Sequence, residues 1–337
     1  MTPPAILLSR DDVSGLMRPA DYLAAVESAF RADKEGHAHA PSPMHIAGKG
    51  GNFHAKGASY DAGRPYVAVK LNGNFPSNFE RTGLPTIQGA ILLCDAQTGS
   101  ILAIIDSIEI TLQRTAAASA LAARYLARAD ASTLCIIGCG DQAIPQAVAL
   151  SEILPLQVCR AFDLDQKKAE KFSQDIARQT GMVCTVANEV GDLTACDVIV
   201  TCTTARSPIL TLSGISPGTF IAAVGADTPE KHEIAPELMA AATVVVDVLS
   251  QCMEMGDLHH AIVAGALSVA DVYADLGELV TGAKHGRFDE SEVIIFDSTG
   301  TALQDVASAA LAYERAIAGG VGTRFALANP PQKLGGA

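Results

Sequence analysis

The segment Gly138-Cys139-Gly140-Asp141-Gln142-Ala143 has the spacing G-x-G-x-x-A. It follows the apolar run Leu134-Cys135-Ile136-Ile137 and opens the stretch DQAIPQAVALSEIL. Each small residue has a physical reason. Gly138 permits a tight turn from strand to helix. Gly140 lacks a Cβ, so a pyrophosphate can approach the main chain, and Ala143 lets the helix pack on the strand. With Asp141 and Gln142 in the turn, the helix N-terminus supplies free N–H groups and a partial positive charge to phosphates. Pro145 falls in the first turns of that helix, where a missing N–H costs little. At the end of the next apolar run, VCRAFDL, stands Asp163. A carboxylate there accepts hydrogen bonds from adenosine ribose hydroxyls and repels a 2′-phosphate, and the basic pair Lys167-Lys168 does not follow at once. The expected cofactor is therefore NAD rather than NADP. The alternative is a glycine turn in an α/β domain that binds nothing.

A nicotinamide-binding domain needs side chains that present a substrate. Lys70 lies in YVAVKLNG with apolar neighbours on both sides. Lysine is rarely buried unless paired. Lys70 either faces a cleft and holds a carboxylate, or lays its stem along the sheet with its ammonium in solvent. Arg114 is the one charge between Ile110 and Ala123. Its planar fork suits bidentate carboxylate binding, the alternative being a salt bridge with Asp106 or Glu109. Asp227 follows FIAAVGA, at the carboxyl end of an expected parallel strand, where ligands of open α/β sheets bind. It either pairs with a substrate ammonium and moves a proton, or caps the helix after TPEKHE. Asp297-Ser298-Thr299-Gly300 ends another apolar run. It either touches nicotinamide or ribose, or caps the helix that follows.

The elements that must carry these residues divide in two. After Asp130, short apolar runs (LCIIG, VCRAF, VCTVA, DVIVTCT, TFIAAVG, TVVVDVL, VIIFDS) alternate with helical stretches. That pattern predicts an α/β fold, a Rossmann-type doubly wound parallel sheet covered on both faces, over residues 115–304. Residues 1–114 plus 305–337 form a second, β-rich α+β domain. In it MHIAG, NFHAKG, YVAVKLNG, IQGAILLCDAQTG and ILAIID read as strands separated by Gly, Pro and Asn turns. Helices are predicted at 14–35, 108–128 and 305–320, and the terminal NPPQKLGGA reads as mobile.

Composition narrows the function. The 337 residues exceed one ordinary domain. The chain is 49% hydrophobic and 18% charged, a globular composition, and its net charge of −13 argues against a nucleic-acid or anionic-membrane partner. With 5% aromatic residues and no Trp, a base-stacking platform is not expected. No apolar run is long enough to span a bilayer. The start, MTPPAILLSRDDV, shows no secretion signal. The eight cysteines lie mostly in apolar runs and read as buried thiols of a cytoplasmic protein. His259-His260 points its two rings about 100° apart on a helix, and no metal site is expected.

Five motifs now occur in order: Lys70-x-Asn72, Arg114-Thr115-Ala116-Ala117, Gly138-x-Gly140-x-x-Ala143, Val224-Gly225-Ala226-Asp227 and Phe296-Asp297-Ser298-x-Gly300. Together they resemble the ornithine cyclodeaminase/mu-crystallin family over about residues 10–325. The resemblance implies a homodimer whose N-terminal domain builds the dimer interface and substrate pocket. It also implies hydride transfer at the α-carbon of an amino or imino acid. By motif position, Lys70 and Arg114 would bind the α-carboxylate, and Asp227 would be the acid/base and ammonium partner. Thr115, Thr203, Val224, Gly225 and Ser298 would join Gly138, Gly140, Asp141, Gln142, Ala143 and Asp163 around the coenzyme.

One departure from that family bears on the substrate. The cyclodeaminase pattern carries a Glu in the strand before the lysine strand, to hold the substrate's distal amine. Here that strand reads Asn52-Phe53-His54-Ala55-Lys56, and no Asp or Glu occurs between Glu35 and Asp61. The window carries His37, His39, His45, Lys49, His54 and Lys56 instead, with His45 nearest to the place of the family's usual arginine. A distal ammonium would find no anion there, and burying it unpaired would be costly. The expected substrate is a small anionic imino acid, with His54 and Lys56 on a second carboxylate: reduction of iminosuccinate to aspartate. The alternatives are ornithine cyclodeamination to proline and ammonia, a mu-crystallin-like coenzyme-bound binding protein, and a basic window that is only a solvated face.

Overall fold

The computed structural model describes residues 4–193 and 195–327, so the NPPQKLGGA segment lies outside the described residues. The chain forms two compact units. One holds the residues up to Arg18, Glu35–Thr111 and those from Ala302 onward. The other holds Pro19–Lys34 and Leu112–Thr301.

The first unit is built on a mixed sheet. Its strands run in the order Thr323–Phe325, Ala5–Leu8, Ile101–Asp106, Ile87–Asp95, Pro65–Asn74, Gly51–Asp61 and Ala38–His39, with Met44–Gly48 also paired to Gly51–Asp61. Side chains alternate between faces along a strand, and the burial follows. Tyr66, Ala68 and Lys70 are buried together with Ile91 and Leu93, while Val69 and Leu71 are each 44% exposed. The helix Ala302–Gly319 packs on the central strands. The opposite face presents Leu7, Met44, Ile46, Val69 and Leu71 as exposed apolar side chains.

The predicted helix 14–35 is two helices, Arg10–Leu16 and Pro19–Lys34. Pro19 has no N–H to give and pushes the preceding residue out of helical conformation, so the chain breaks before it and restarts. The second of these helices does not group with residues 1–114 as expected. It belongs to the second unit, tied there by Glu27 to Arg124 (2.8 Å), by Arg31 Nη2 to the Val280 carbonyl (2.9 Å) and by Lys34 to Asp275.

The second unit is the parallel sheet. Its order is Val183–Val186, Val158–Phe162, Thr133–Ile137, Val198–Thr201, Phe220–Ala223, Ile294–Asp297, Thr243–Val246 and Ala274–Asp275, and all pairings are parallel. The strands Val198–Thr201, Phe220–Ala223 and Ile294–Asp297 are buried at every residue, as a sheet covered on both faces requires. The order reverses between Thr133–Ile137 and Val198–Thr201. The carboxyl edge at that switch point is the place where such sheets bind ligands. Among the described residues no helix is long and apolar enough to cross a membrane.

Candidate active site

The glycine loop lies at the switch point. Gly138 has φ +95°, which an L side chain rarely adopts. A Cβ on it would also come within 2.8 Å of the Thr203 methyl and 2.9 Å of the Cys202 carbonyl oxygen. The loops leaving the two strands at the reversal therefore touch through Gly138. A Cβ on Gly140 would meet nothing within 4 Å, so the main chain there stands open. The helix Ala143–Ser151 begins with Gln142 as its cap residue, which makes no side-chain cap hydrogen bond. The Gln142 Oε1 is buried without a hydrogen-bond partner among the described residues. Ala143 is fully buried and Asp141 is exposed.

Asp163 follows the strand Val158–Phe162 and is half-buried. Its Oδ2 accepts from Cys139 N at 2.7 Å and its Oδ1 from Asp165 N at 2.8 Å. The carboxylate thus ties the glycine loop to the neighbouring strand and has acceptor capacity beyond these two hydrogen bonds. An open glycine, a helix N-terminus without a side-chain cap, a buried orphan acceptor and a placed carboxylate fit a dinucleotide.

Thr203, Val224, Gly225 and Ser298 lie on the same carboxyl edge. Thr203 and Gly225 both donate their main-chain N–H to Glu233, at 2.7 and 2.8 Å. Val224 N donates to the Thr201 carbonyl at 2.9 Å. Ser298 N donates to Ala223 O, and its hydroxyl faces Asp247 Oδ2 at 3.5 Å. Thr115 is buried on the helix Ser107–Leu126, next to Arg114. Arg114 is 5% exposed, and a Cβ on Gly300 (φ +73°) would come 2.6 Å from its Nη1. Only a glycine lets the guanidinium lie against that turn. Glu109 pairs with Arg10, and Asp106 accepts from Ile108 N and Glu109 N.

Asp227 caps no helix: the helix Pro236–Ala241 starts at Ala235 without a side-chain cap. Its Oδ1 lies 2.6 Å from Lys231 Nζ, and the pair is partly solvent-exposed. His260 bonds the Lys231 carbonyl at 2.8 Å and stacks on His232 at 4.0 Å between centroids. Burial, followed by the His260 charge, holds His232 below its usual pKa. Asp297 does cap a helix, but not the one that follows it. It accepts from Leu258 N at 2.8 Å and Asp257 N at 3.3 Å, at the start of Asp257–Val263. Among the described residues no three His, Cys, Asp or Glu side chains gather as metal ligands.

In the first unit the sheet register collects the basic window. Lys56 stands opposite Lys70, His54 opposite Asn72 and His45 opposite His54, so His45, His54, Lys56 and Lys70 share one face of three neighbouring strands. The His45 and His54 rings meet edge-to-face at 4.5 Å. His45 is exposed, while His54 and Lys56 are half-buried. Lys70 is 4% exposed and does not reach solvent. Its Nζ lies 2.7 Å from Asp305 Oδ2 and 3.3 Å from Thr111 Oγ1.

Sequence reasoning missed Asp305. Its signal was available: it is the one charge between Ala302 and Tyr313, the same pattern that singled out Arg114. It also missed Glu233, Asp247 and Asp257, each at most 1% exposed, at the carboxyl edge of the parallel sheet. Burial pushes Asp257 up to about 7, with the Glu233 charge adding to it, and raises Glu233 and Asp297 as well.

The profile of the ornithine cyclodeaminase/mu-crystallin family matches residues 4–320. The chain belongs to this family. Alanine dehydrogenase of Archaeoglobus fulgidus is 36% identical over 320 residues, which are 95% of this chain and 98% of that protein. An archaeal alanine dehydrogenase dimer with bound NAD superposes with a TM-score of 0.92 at 35% identity, covering 96% of this chain and 99% of the other. The iminosuccinate reductase of Paracoccus denitrificans in complex with NAD+ does so with a TM-score of 0.89 at 31% identity, covering 95% and 99%. NAD as coenzyme and an oxidoreductase activity on amino or imino groups follow from this membership together with the loop at Gly138.

Two predictions test this geometry. Asp163→Ala lowers the ratio of kcat/KM with NADH to that with NADPH at least tenfold; an unchanged ratio removes Asp163 from the ribose role. The second concerns Asp257. A carboxyl whose folded pKa lies above its unfolded value adds stability at low pH and loses it as pH rises through the folded value. Here the window runs from the ordinary 3.8 to about 7. Asp257→Asn therefore melts near the parent's temperature at about pH 4 and above it at pH 8, by on the order of 1 kcal/mol or more. Equal pH dependence of the two melting curves would refute the buried charge.

Proposed function

We propose that this protein reduces a small imino acid carrying a second carboxylate, with NADH, to the corresponding L-amino acid; iminosuccinate to aspartate is the sharpest form. The observation that carries this reading is the shared sheet face of His45, His54, Lys56 and Lys70. No acidic residue occurs in the strand Met44–Gly48 or Pro65–Asn74, and Asp61 ends Gly51–Asp61. The Lys70–Asp305 pair is neutral in sum, so His45, His54 and Lys56 supply the further positive character that a dicarboxylate needs.

The roles follow residue by residue. Lys70 and Arg114 take the α-carboxylate, where Arg114 contributes a planar two-pronged donor and Lys70 a point charge. His54 and Lys56 take the distal carboxylate, with His45 beside them. Preorganised cations also favour the electron flow away from the imine carbon. When bound, NADH supplies the hydride that adds to that carbon, while the C=N π pair moves onto nitrogen and NAD+ remains. Asp227 relays to that nitrogen the proton it takes up, drawn from solvent at its partly exposed side chain, and Lys231 orients it. Gly140, Gln142 and Asp163 hold the dinucleotide. A diamine such as ornithine would bring its distal ammonium against lysine and histidine, which disfavours cyclodeamination.

We also read the protein as a homodimer that works in the cytoplasm. The exposed apolar sheet face of Leu7, Met44, Ile46, Val69 and Leu71 is of the kind that marks a subunit interface. The eight free thiols suit a reducing compartment.

Incubation with NADH, ammonia and oxaloacetate, pyruvate, glyoxylate or 2-oxoglutarate tests the substrate. NADH oxidation is fastest with oxaloacetate, and Lys56→Ala raises KM for that imine at least tenfold while leaving the pyruvate-derived imine within twofold. Preference for pyruvate would convert the assignment to an alanine dehydrogenase. Proline formed from ornithine with catalytic NAD would overturn it, and tight NADH binding without turnover would identify a binding protein. In sedimentation the parent runs as a dimer and Leu71→Asp as a monomer; a monomeric parent at micromolar concentration removes the dimer.

A further inference from the structure

Glu233 comes from the short strand His232–Ile234 and is fully buried. Its Oε1 accepts from Thr203 N at 2.7 Å, and its Oε2 accepts from Gly225 N and Thr201 Oγ1, both at 2.8 Å. One carboxylate thus bridges the chain leaving the strand Val198–Thr201 and the chain leaving Phe220–Ala223. The contact leaves no room: a Cβ on Gly225 would lie 2.5 Å from Glu233 Oε1 and 2.5 Å from the Thr203 carbonyl oxygen.

Glu233 is itself anchored. Its own N–H and that of Ile234 donate to Asp257 Oδ1 at 2.8 and 2.9 Å. The N–H groups of Asp257 and Leu258 donate in turn to Asp297, the last residue of the central strand Ile294–Asp297. Three side chains in series run from the sheet to the two loops. Stability alone is a poor reason for this arrangement. Burying carboxylates close to one another is expensive, and apolar replacements of buried charges are often neutral or stabilising.

We infer that Glu233 is a positioning residue for the coenzyme, holding the Thr203 and Gly225 main chains in the one relation that shapes the nicotinamide side of the crevice. This rests on the proposed coenzyme contacts of Thr203, Val224 and Gly225. A carboxylate is the required group. It offers acceptors on both oxygens, whereas a carboxamide would turn an NH2 toward the N–H of either Thr203 or Gly225.

The test is direct NADH binding, followed by the emission of NADH itself because the chain has no Trp. It needs no imino acid, so a wrong substrate assignment does not affect it. Glu233→Gln weakens NADH binding at least tenfold, raises KM for NADH in parallel, and leaves KM for the imino acid within twofold. A lowered melting temperature with unchanged NADH affinity would show a structural brace only and overturn the proposal. Should Glu233→Gln fail to fold, Thr201→Val decides. It removes one hydroxyl donor to the carboxylate and keeps the side-chain shape. A two- to fivefold loss of NADH affinity supports the positioning role, and parent affinity overturns it.

Discussion

At the carboxyl edge of the parallel sheet, main-chain N–H groups leave the ladder and need acceptors, yet bulky side chains there would fill the crevice. Carboxylates, fully buried at Glu233 and Asp247 and half-buried at Asp163, resolve this conflict. Asp163 takes Cys139 N, Glu233 takes Thr203 N and Gly225 N, and Asp247 takes Gly300 N at 2.6 Å. Each acceptor reaches the loop from within the unit and leaves the outer surface of the loop to glycine. Buried amides without partners cost about as much as lost hydrogen bonds, so the loops have little freedom to rearrange. The same arrangement places Arg114. Its guanidinium lies against Gly300, whose N–H is fixed by Asp247, so the turn and the cation depend on each other.

That device concentrates negative charge in a low-dielectric interior. Burial raises all three of Glu233, Asp257 and Asp297, the Glu233 charge adds to this at Asp257 and the Asp257 charge at Asp297, and the hydrogen bonds they accept work in the opposite direction. The carboxyl edge is therefore both rigid and electrostatically strained. In the first unit the charge problem has the opposite sign. Lys70 is kept inside the sheet–helix layer by Asp305, because an unpaired ammonium at that depth would be strongly unfavourable. The pleat then decides the rest. With side chains alternating in period two, one face of the sheet carries the basic row and the packed helix, and the other is left apolar and exposed.

Local rules made much of this legible in the amino-acid sequence. The G-x-G-x-x-A turn, the acid at the end of the next strand and the alternation of apolar runs with helices depend on residues close together in the chain, and the doubly wound sheet follows from them. Lone charges in apolar stretches pointed to Lys70 and Arg114 for the same reason: a buried charge demands a partner wherever the fold places it. The choice of partner was not legible. Lys70 with Asp305, Glu233 with Thr203, Asp297 with the helix at Asp257 and Pro19–Lys34 with the second unit all join residues far apart in sequence. Which distant groups meet is set by strand order and register, and these are decided by burial over the whole sheet. Chain spacing determined the turns and the types of element; only the folded sheet decided which carboxylate faces which amide or ammonium, since hydrogen bonds act over about 3 Å and carry no memory of separation along the chain.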